Sequence, residues 1–335
     1  MTTSTTAAVP AAPAGTTPFH VLAVDLGGTK VALATTDPDG TVLHRTTLPT
    51  LADQGAGQVM RRVGEAGRAL VARTAAEGHG PLRAVAAVSP GIVWEDRILL
   101  APNNPGWERL ALPATLRAAF GTDTVAVETD VKAAALAEAR WGALAGSDCG
   151  IFLNLGTGLS AAPVIHGRVL DGAHRAAGEI GSQLLGVADL AGLGDGRAPL
   201  EQHVSGRALA DRGSALLGRA VTTAEVFALA GHDPAVAQLV DEALDTLGVH
   251  LANLAIALDP DTVAVGGGLT RSADRVLPRL RHILDRAVPF PPSLVPARFT
   301  ETAPLTGAVL LALDAAAGQR GGASTPSCGK VVTGP

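Results

Sequence analysis

The 335-residue sequence holds only two cysteines, Cys149 and Cys328. That scarcity argues against a disulfide framework and against a paired-cysteine zinc site, and it fits a chain kept in a reducing cytoplasm. Concentrated basic charge is also scarce: 26 Lys and Arg stand against 31 Asp and Glu, a net charge of −5. Nucleic-acid binding needs clustered Lys and Arg, so no nucleic-acid partner is expected. No apolar run approaches the length of a membrane span, which argues against a membrane partner. The opening residues, MTTSTTAAVPAAPAGTTP, lack a basic n-region and an unbroken apolar stretch, so they do not read as a signal peptide. Residues 1–18 and 318–335 are rich in Ala, Gly, Thr and Pro and read as disordered tails.

The whole sequence is 47% hydrophobic and 17% charged, a composition that suits an α/β protein with ample core. From Phe19 the pattern is VLAVD, the loop LGGTK, VALATT, the turn DPDG and TVLHRTTL: three short strands joined by turns. A helix is expected over 56–76, a strand over 84–89, a loop-rich stretch over 90–107, a helix over 112–120 and a buried strand over 124–128. The order then repeats in kind. A helix over 131–144 precedes GIFLNLG, the loop TG and LSAAPVI, again strand, glycine turn, strand. Helices fill 205–258 with breaks near 219–222 and 232–234, TVAVGG makes a strand, and a last helix covers 305–317. This internal echo points to two related α/β domains around a cleft.

Several stretches carry chemistry. Asp25-Leu26-Gly27-Gly28-Thr29-Lys30 joins two strands; its glycines and the Thr29 hydroxyl could cradle phosphate oxygens, and Asp25 could hold a hydrated Mg²⁺. A plain hairpin turn with Asp25 capping backbone amides explains the same residues. It is neither a Walker motif nor GxGxxG, because it leads into a strand. Asn154-Leu155-Gly156-Thr157-Gly158 is a second such turn, and Gly266-Gly267-Gly268 lies between a strand and a helix. Two hairpins in equivalent places are better explained as loops gripping one phosphate chain than as coincidence. Asp130, at a strand-to-helix junction, is either an N-cap or a carboxylate able to take a proton from a hydroxyl. Lys132, two residues on, is expected to lower that carboxylate's pKa. Arg275, Arg279, His282 and Arg286 share one helical face, read as solvated or as a subunit contact.

Taken together, these stretches resemble the ROK family of sugar kinases, the glucokinase-like branch of the actin-like ATP-binding fold. DLGGTK resembles its first phosphate loop and NLGTG its second. Ala101-Pro102-Asn103 through Gly106-Trp107 resembles its sugar loop, and Thr129-Asp130 its Asn-Asp pair. AHRAAGEIG resembles its sugar-binding signature, PLEQHVSGRAL its next segment and VAVGGG its adenosine turn. The resemblance runs in one order from Phe19 to Ala317. It implies an α/β, two-domain actin-like ATPase fold (ribonuclease H-like, hexokinase/ROK) with an inter-domain cleft. The small domain would comprise 19–129 plus 305–317, and the large domain 130–304.

The resemblance also implies a reaction. Asp130 would be the general base on a primary hydroxyl that attacks the γ-phosphorus of ATP in line. Asn103, Thr129, Asp130, Glu179, Ser182 and Glu201 would form the acceptor site. Asp25, Gly27, Gly28, Thr29, Lys30, Gly156, Thr157, Gly158, Gly267 and Gly268 would hold ATP, with Mg²⁺ on Asp25 through water. Dimers are usual in the family. Three positions depart from it. Ser182 stands where the family has a zinc-binding histidine, and GLGDGRAP, residues 192–199, has no cysteines where the family has three, so no zinc site is expected. Another site at Asp195 and His203 is not favoured. Thr129 replaces a sugar-contacting asparagine, and Lys132 a second one. These changes cluster around the acceptor, which is therefore expected to be something other than ordinary glucose: a hexose isomer, an N-acylated sugar or a C7-cyclitol.

Other classes fit less well. Repressors in the family carry a helix-turn-helix domain ahead of the kinase-like part, and here the first phosphate-loop strand begins near His20. A dehydrogenase fails on the strand-turn-strand context of the glycines. A catalytically silent sugar-binding regulator conflicts with the retained Asp25, Thr157 and Asp130, although Lys132 keeps it open.

Overall fold

A computed structural model describes residues 18–101 and 104–318 of the chain. Asn103, Cys328 and nearly all of both tails lie outside the described residues. The chain forms two compact units, one made of the part up to Ala133 and the part from Pro304, the other of Ala134–Ala303.

The first unit opens with β1 (His20–Leu26), β2 (Lys30–Thr36) and β3 (Val42–Pro49), followed by α1 (Ala56–Ala76) and β4 (Leu82–Ser89). A small hairpin, β5 (Ile92–Val93) and β6 (Ile98–Leu99), lies in the stretch expected to be loop-rich. Then come α2 (Leu112–Phe120), β7 (Val125–Thr129) and α3 (Asp130–Trp141), the last crossing into the second unit. The five-stranded sheet runs β3-β2-β1-β4-β7, antiparallel across β3, β2 and β1 and parallel from β1 through β4 to β7.

The second unit follows with β8 (Cys149–Leu155), β9 (Leu159–Ile165), β10 (Arg168–Val169), α4 (Pro199–Val204), α5 (Gly206–Leu217), α6 (Thr223–Leu229) and α7 (Pro234–Leu258). It is completed by β11 (Thr262–Gly266), α8 (Ala273–Ala287) and β12 (Ser293–Pro296), and α9 (Ala303–Ala316) returns the chain to the first unit. Its sheet runs β10-β9-β8-β11-β12, with β10, β9 and β8 antiparallel and β8, β11 and β12 parallel. Each unit thus carries the same plan, which is the internal echo read from the sequence. Both glycine turns join the first antiparallel pair of their sheets.

Strand alternation explains how the first site residues are placed. Leu22, Val24 and Leu26 of β1 point to one face and pack with Val59 and Val63 of α1 and Leu112 and Leu116 of α2. Ala23 points the other way, where Ala32, Ala34 and Val88 meet Ala133 of α3 and Leu305, Ala308 and Val309 of α9. Small residues on that face let two helices lie close to the sheet. Asp25 shares the parity of Ala23, so it faces the side where α3 begins.

One expectation changes. Arg275 and Arg279 of α8 are not simply a solvated face or subunit contact. Arg275 Nη2 lies 2.9 Å from Asp241 Oδ1, and Arg279 donates to Asp245 at 2.5 and 2.6 Å, an ion-pair ladder onto α7. No described helix is long and apolar enough to cross a membrane.

Candidate active site

In the first unit, Asp25 closes β1, Gly27, Gly28 and Thr29 make the turn, and Lys30 opens β2. Gly28, Thr29 and Lys30 are exposed, while Asp25 is half-buried. The turn is braced from beneath by Thr50, which is fully buried. Thr50 Oγ1 donates to the Gly27 carbonyl at 2.6 Å, and Thr50 N donates to the Thr29 carbonyl at 2.9 Å. Arg62 of α1 in turn donates to the Thr50 carbonyl and, at 2.7 Å, to Gln54 Oε1. Two carbonyls of the turn are therefore held inward, which leaves its outer surface to a ligand. Nothing in the sequence around Thr50 marked it; only the fold brings it under the turn.

Thr129 and Asp130 stand where β7 becomes α3. Thr129, and not Asp130, caps the helix: its Oγ1 accepts from Lys132 N at 3.2 Å. Asp130 Oδ1 accepts from Val131 N at 2.8 Å. Burial, with the nearby charge of Asp25 adding to it, pushes the Asp130 carboxyl up to about 7, against the Val131 hydrogen bond. Asp25 is itself raised to about 6 by burial, with Lys30 and Arg45 opposing. The expected lowering of Asp130 by Lys132 is therefore overturned. Residues two apart on a helix do not face one another, and Lys132 is not among the charges that shift Asp130. A carboxylate near neutrality is matched to proton abstraction at physiological pH.

In the second unit, β8 and β11 are neighbours with Asn154 opposite Gly266, so the second turn lies beside the third glycine cluster. Gly156, Thr157 and Gly268 line one cavity of about 400 Å³ together with Arg207, Thr223 and Phe227. Gly267 lies against the backbone of Leu155 at the edge of the same cluster. The start of α5 supports the turn: Gly206 N donates to the Gly156 carbonyl at 2.9 Å and Arg207 N to the Thr157 carbonyl at 3.3 Å. An aromatic ring, a guanidinium and glycine backbone around one cavity suit a nucleotide. Arg207, Thr223 and Phe227 were not singled out from the sequence, since their spacing is that of ordinary helical residues.

The AAGEIGS run, Ala176–Ser182, is pinned to β9. Gly178 has φ +93°, and a Cβ there would lie 1.9 Å from the Ala161 carbonyl oxygen, so only glycine fits. The Ala161 N–H donates to the Gly178 carbonyl at 2.9 Å. Glu179 follows half-buried, and Ser182 ends a short turn in which its N–H donates to the Glu179 carbonyl at 3.2 Å. Glu201, on α4, accepts from Leu159 N at 2.8 Å through Oε2. A Cβ on Gly158 would lie 2.8 Å from that oxygen, and one on Gly181 would lie 3.0 Å from Glu201 Cβ. Glu201 therefore touches both the second turn and the AAGEIGS run. Asp195 accepts from Gly192 N at 2.9 Å within its own loop. Among the described residues no group of three His, Cys, Asp or Glu could hold a metal ion.

A hydrated cation fits Asp25 and Asp130 on their chemistry: burial raises both carboxyls, Asp25 adds to the rise of Asp130, and positive charge relieves both. Two α/β units of one sheet plan, each with a glycine turn between its first antiparallel strands, define the two-domain actin-like fold in its hexokinase form. The chain belongs to the ROK family, whose sequence model matches residues 21–315. It is similar to the kanosamine kinase of Amycolatopsis mediterranei, 29% identical over 310 residues that cover 90% of this chain and 99% of that one. It is 33% identical to the N-acetylmannosamine kinase of Salmonella arizonae over 300 residues, 87% of this chain and 97% of the relative. Among solved structures it resembles a ROK glucokinase from Streptomyces griseus in complex with glucose and AMPPNP. That match has a TM-score of 0.69 and 30% identity, covering 88% of this chain and 99% of the other.

Proposed function

We propose that the protein is an ATP-dependent kinase that phosphorylates a primary hydroxyl of a sugar or sugar-like polyol. The observation that carries this reading is Asp130, a half-buried carboxylate at the start of α3 with its pKa raised to about 7 and the Asp25 charge of the first glycine turn nearby. Asp130 takes the proton of the acceptor hydroxyl as that oxygen bonds to the γ-phosphorus. The bond from the γ-phosphorus to the bridging oxygen breaks, ADP leaves, and Asp130 later gives its proton to water. Asp25 would hold Mg²⁺, which supplies neutralisation of phosphate charge when bound. The two glycine turns offer backbone amides to the phosphate chain, and the cavity beside Gly268 takes the nucleoside. Such a reaction asks mainly for positioning and charge neutralisation.

Asn103, Glu179 and Glu201 supply acceptors and an amide for neighbouring hydroxyls, the chemistry a polyol needs. Thr129, Lys132 and Ser182 are the positions at which the sequence departs from the family pattern for the acceptor, and two relatives act, by name, on an amino sugar and an N-acylated amino sugar. These points support an acceptor other than ordinary glucose. An acceptor screen tests it: ATP and Mg²⁺ with kanosamine, N-acetylmannosamine, glucose and a C7-cyclitol, followed by ADP release. Turnover of an amino sugar, N-acylated sugar or cyclitol above glucose supports the reading; glucose as the best substrate by a wide margin defeats it.

A further inference from the structure

Asn104 is 3% exposed, and neither its Oδ1 nor its Nδ2 has a hydrogen-bond partner among the described residues. Its backbone is satisfied: Asn104 N donates to the Ala101 carbonyl at 3.1 Å, and its carbonyl accepts from Trp107 N at 3.2 Å. Only the carboxamide is orphaned. Buried amides are almost always paired, so an unpaired one calls for a missing partner. The neighbourhood says which partner. Among the described residues, and apart from its chain neighbours, a Cβ built on Gly28 of the first glycine turn would meet Asn104 Oδ1, at 3.9 Å. Gly28 itself is exposed. The amide therefore stands behind the surface that a ligand on the turn would cover.

We propose that Asn104 is an acceptor ligand, whose carboxamide exchanges hydrogen bonds with a hydroxyl of the polyol and so helps to select it. The inference rests on the kinase reading above. An amide presents one acceptor and two donors, and whichever way it is turned, one atom must receive a hydrogen and the other give one. Phosphoryl oxygens only accept and would leave Oδ1 unpaired; a hydroxyl both gives and accepts. The orphan therefore matches a hydroxyl-bearing ligand such as the acceptor and not the phosphate chain. Leaving such a group unpaired is also how a site rejects an isomer whose hydroxyl points elsewhere.

The test compares wild type with Asn104→Leu and Asn104→Ala, using the best acceptor among glucose, N-acetylmannosamine and kanosamine. Asn104→Leu is expected to raise the Tm of the ligand-free protein by a few degrees, because an unpaired amide is replaced by an apolar group. It is expected to raise the acceptor KM at least tenfold while the ATP KM stays within twofold. If the leucine overpacks the site, Asn104→Ala carries the same split between acceptor and ATP. Acceptor KM within twofold of wild type in both variants overturns the assignment while wild-type turnover leaves the kinase reading standing. Absence of turnover by wild type itself would defeat the kinase reading, and this inference with it.

Discussion

Glu201 Oε2 accepts a hydrogen bond from the Leu159 N–H at 2.8 Å, so the strand leaving the second glycine turn is held by the carboxylate proposed to meet the acceptor. In the proposed site, one side chain would thus serve both the phosphate turn and the acceptor wall of the second unit. Glu201→Gln can still accept from Leu159 through its amide oxygen, whereas Glu201→Ala cannot. Hydrogen bonds to charged groups contribute about 1.5–3 kcal/mol, so losses of roughly 10- to 100-fold are in range. Calorimetric titration of ADP without acceptor should show weakened binding in Glu201→Ala and near-normal binding in Glu201→Gln, with acceptor KM raised in both. Equal ADP affinity in wild type and Glu201→Ala would remove the link.

Asp130 predicts opposite effects on activity and stability. Only its deprotonated form can take a proton, so kcat/KM should fall as pH drops below about 7 and level off above it. The stability sign is reversed from that of a salt-bridged aspartate. Its folded pKa is raised above the unfolded value of 3.8, so the charged form destabilises the fold, and this cost appears as pH rises through the window from 3.8 to about 7. Asp130→Asn should therefore raise Tm at pH 8, by up to a few kcal/mol of stability, and change it little near pH 4. Thermal melts at the two pH values check this; an equal change at both would contradict the assigned burial.

Thr50 lies outside the site expected from the sequence. Thr50→Val keeps the shape but strips the Gly27 carbonyl of its 2.6 Å partner. Leaving a buried acceptor unpaired costs about 1–3 kcal/mol, and here the loosened segment is the first phosphate turn. The expected result is a raised ATP KM and a lowered Tm, with Thr50→Ser restoring the ATP KM. A lowered Tm with unchanged ATP KM would make Thr50 purely structural.

Gly178→Ala should be among the most damaging single-methyl changes in the second unit. The added Cβ meets the Ala161 carbonyl at 1.9 Å in a backbone with φ +93°, so β9 or the AAGEIGS run must shift. A loss above about 2 kcal/mol is expected, read by chemical denaturation. Gly186→Ala, with nothing within 4 Å of its Cβ position, is the control and should lose little.

Much of this architecture was legible because local and global signals agree. The helices expected over 56–76 and 112–120 are α1 and α2, and LSAAPVI is β9, because clear periodicity and turn residues bound each. β12 was not legible: Ser293–Pro296 is a four-residue edge strand framed by prolines, which read as loop until β11 pairs with it. The glycine turns could be found from sequence because glycine is required locally. Their supports, Thr50, Arg62 and Glu201, come from segments 21 or more residues away, and only the fold brings them there. The charge state of Asp130 was misread for a related reason: Lys132 is close in sequence, but burial decides it, with Asp25 across the sheet adding to the shift.

The most direct test of the central claim is single-turnover transfer from γ-labelled ATP to the best acceptor, with wild type and Asp130→Asn side by side. General-base catalysis contributes about 10²- to 10⁴-fold, so the account predicts labelled acceptor from wild type and a rate lower by that factor in Asp130→Asn, with ADP binding retained. Transfer at the wild-type rate by Asp130→Asn would contradict it.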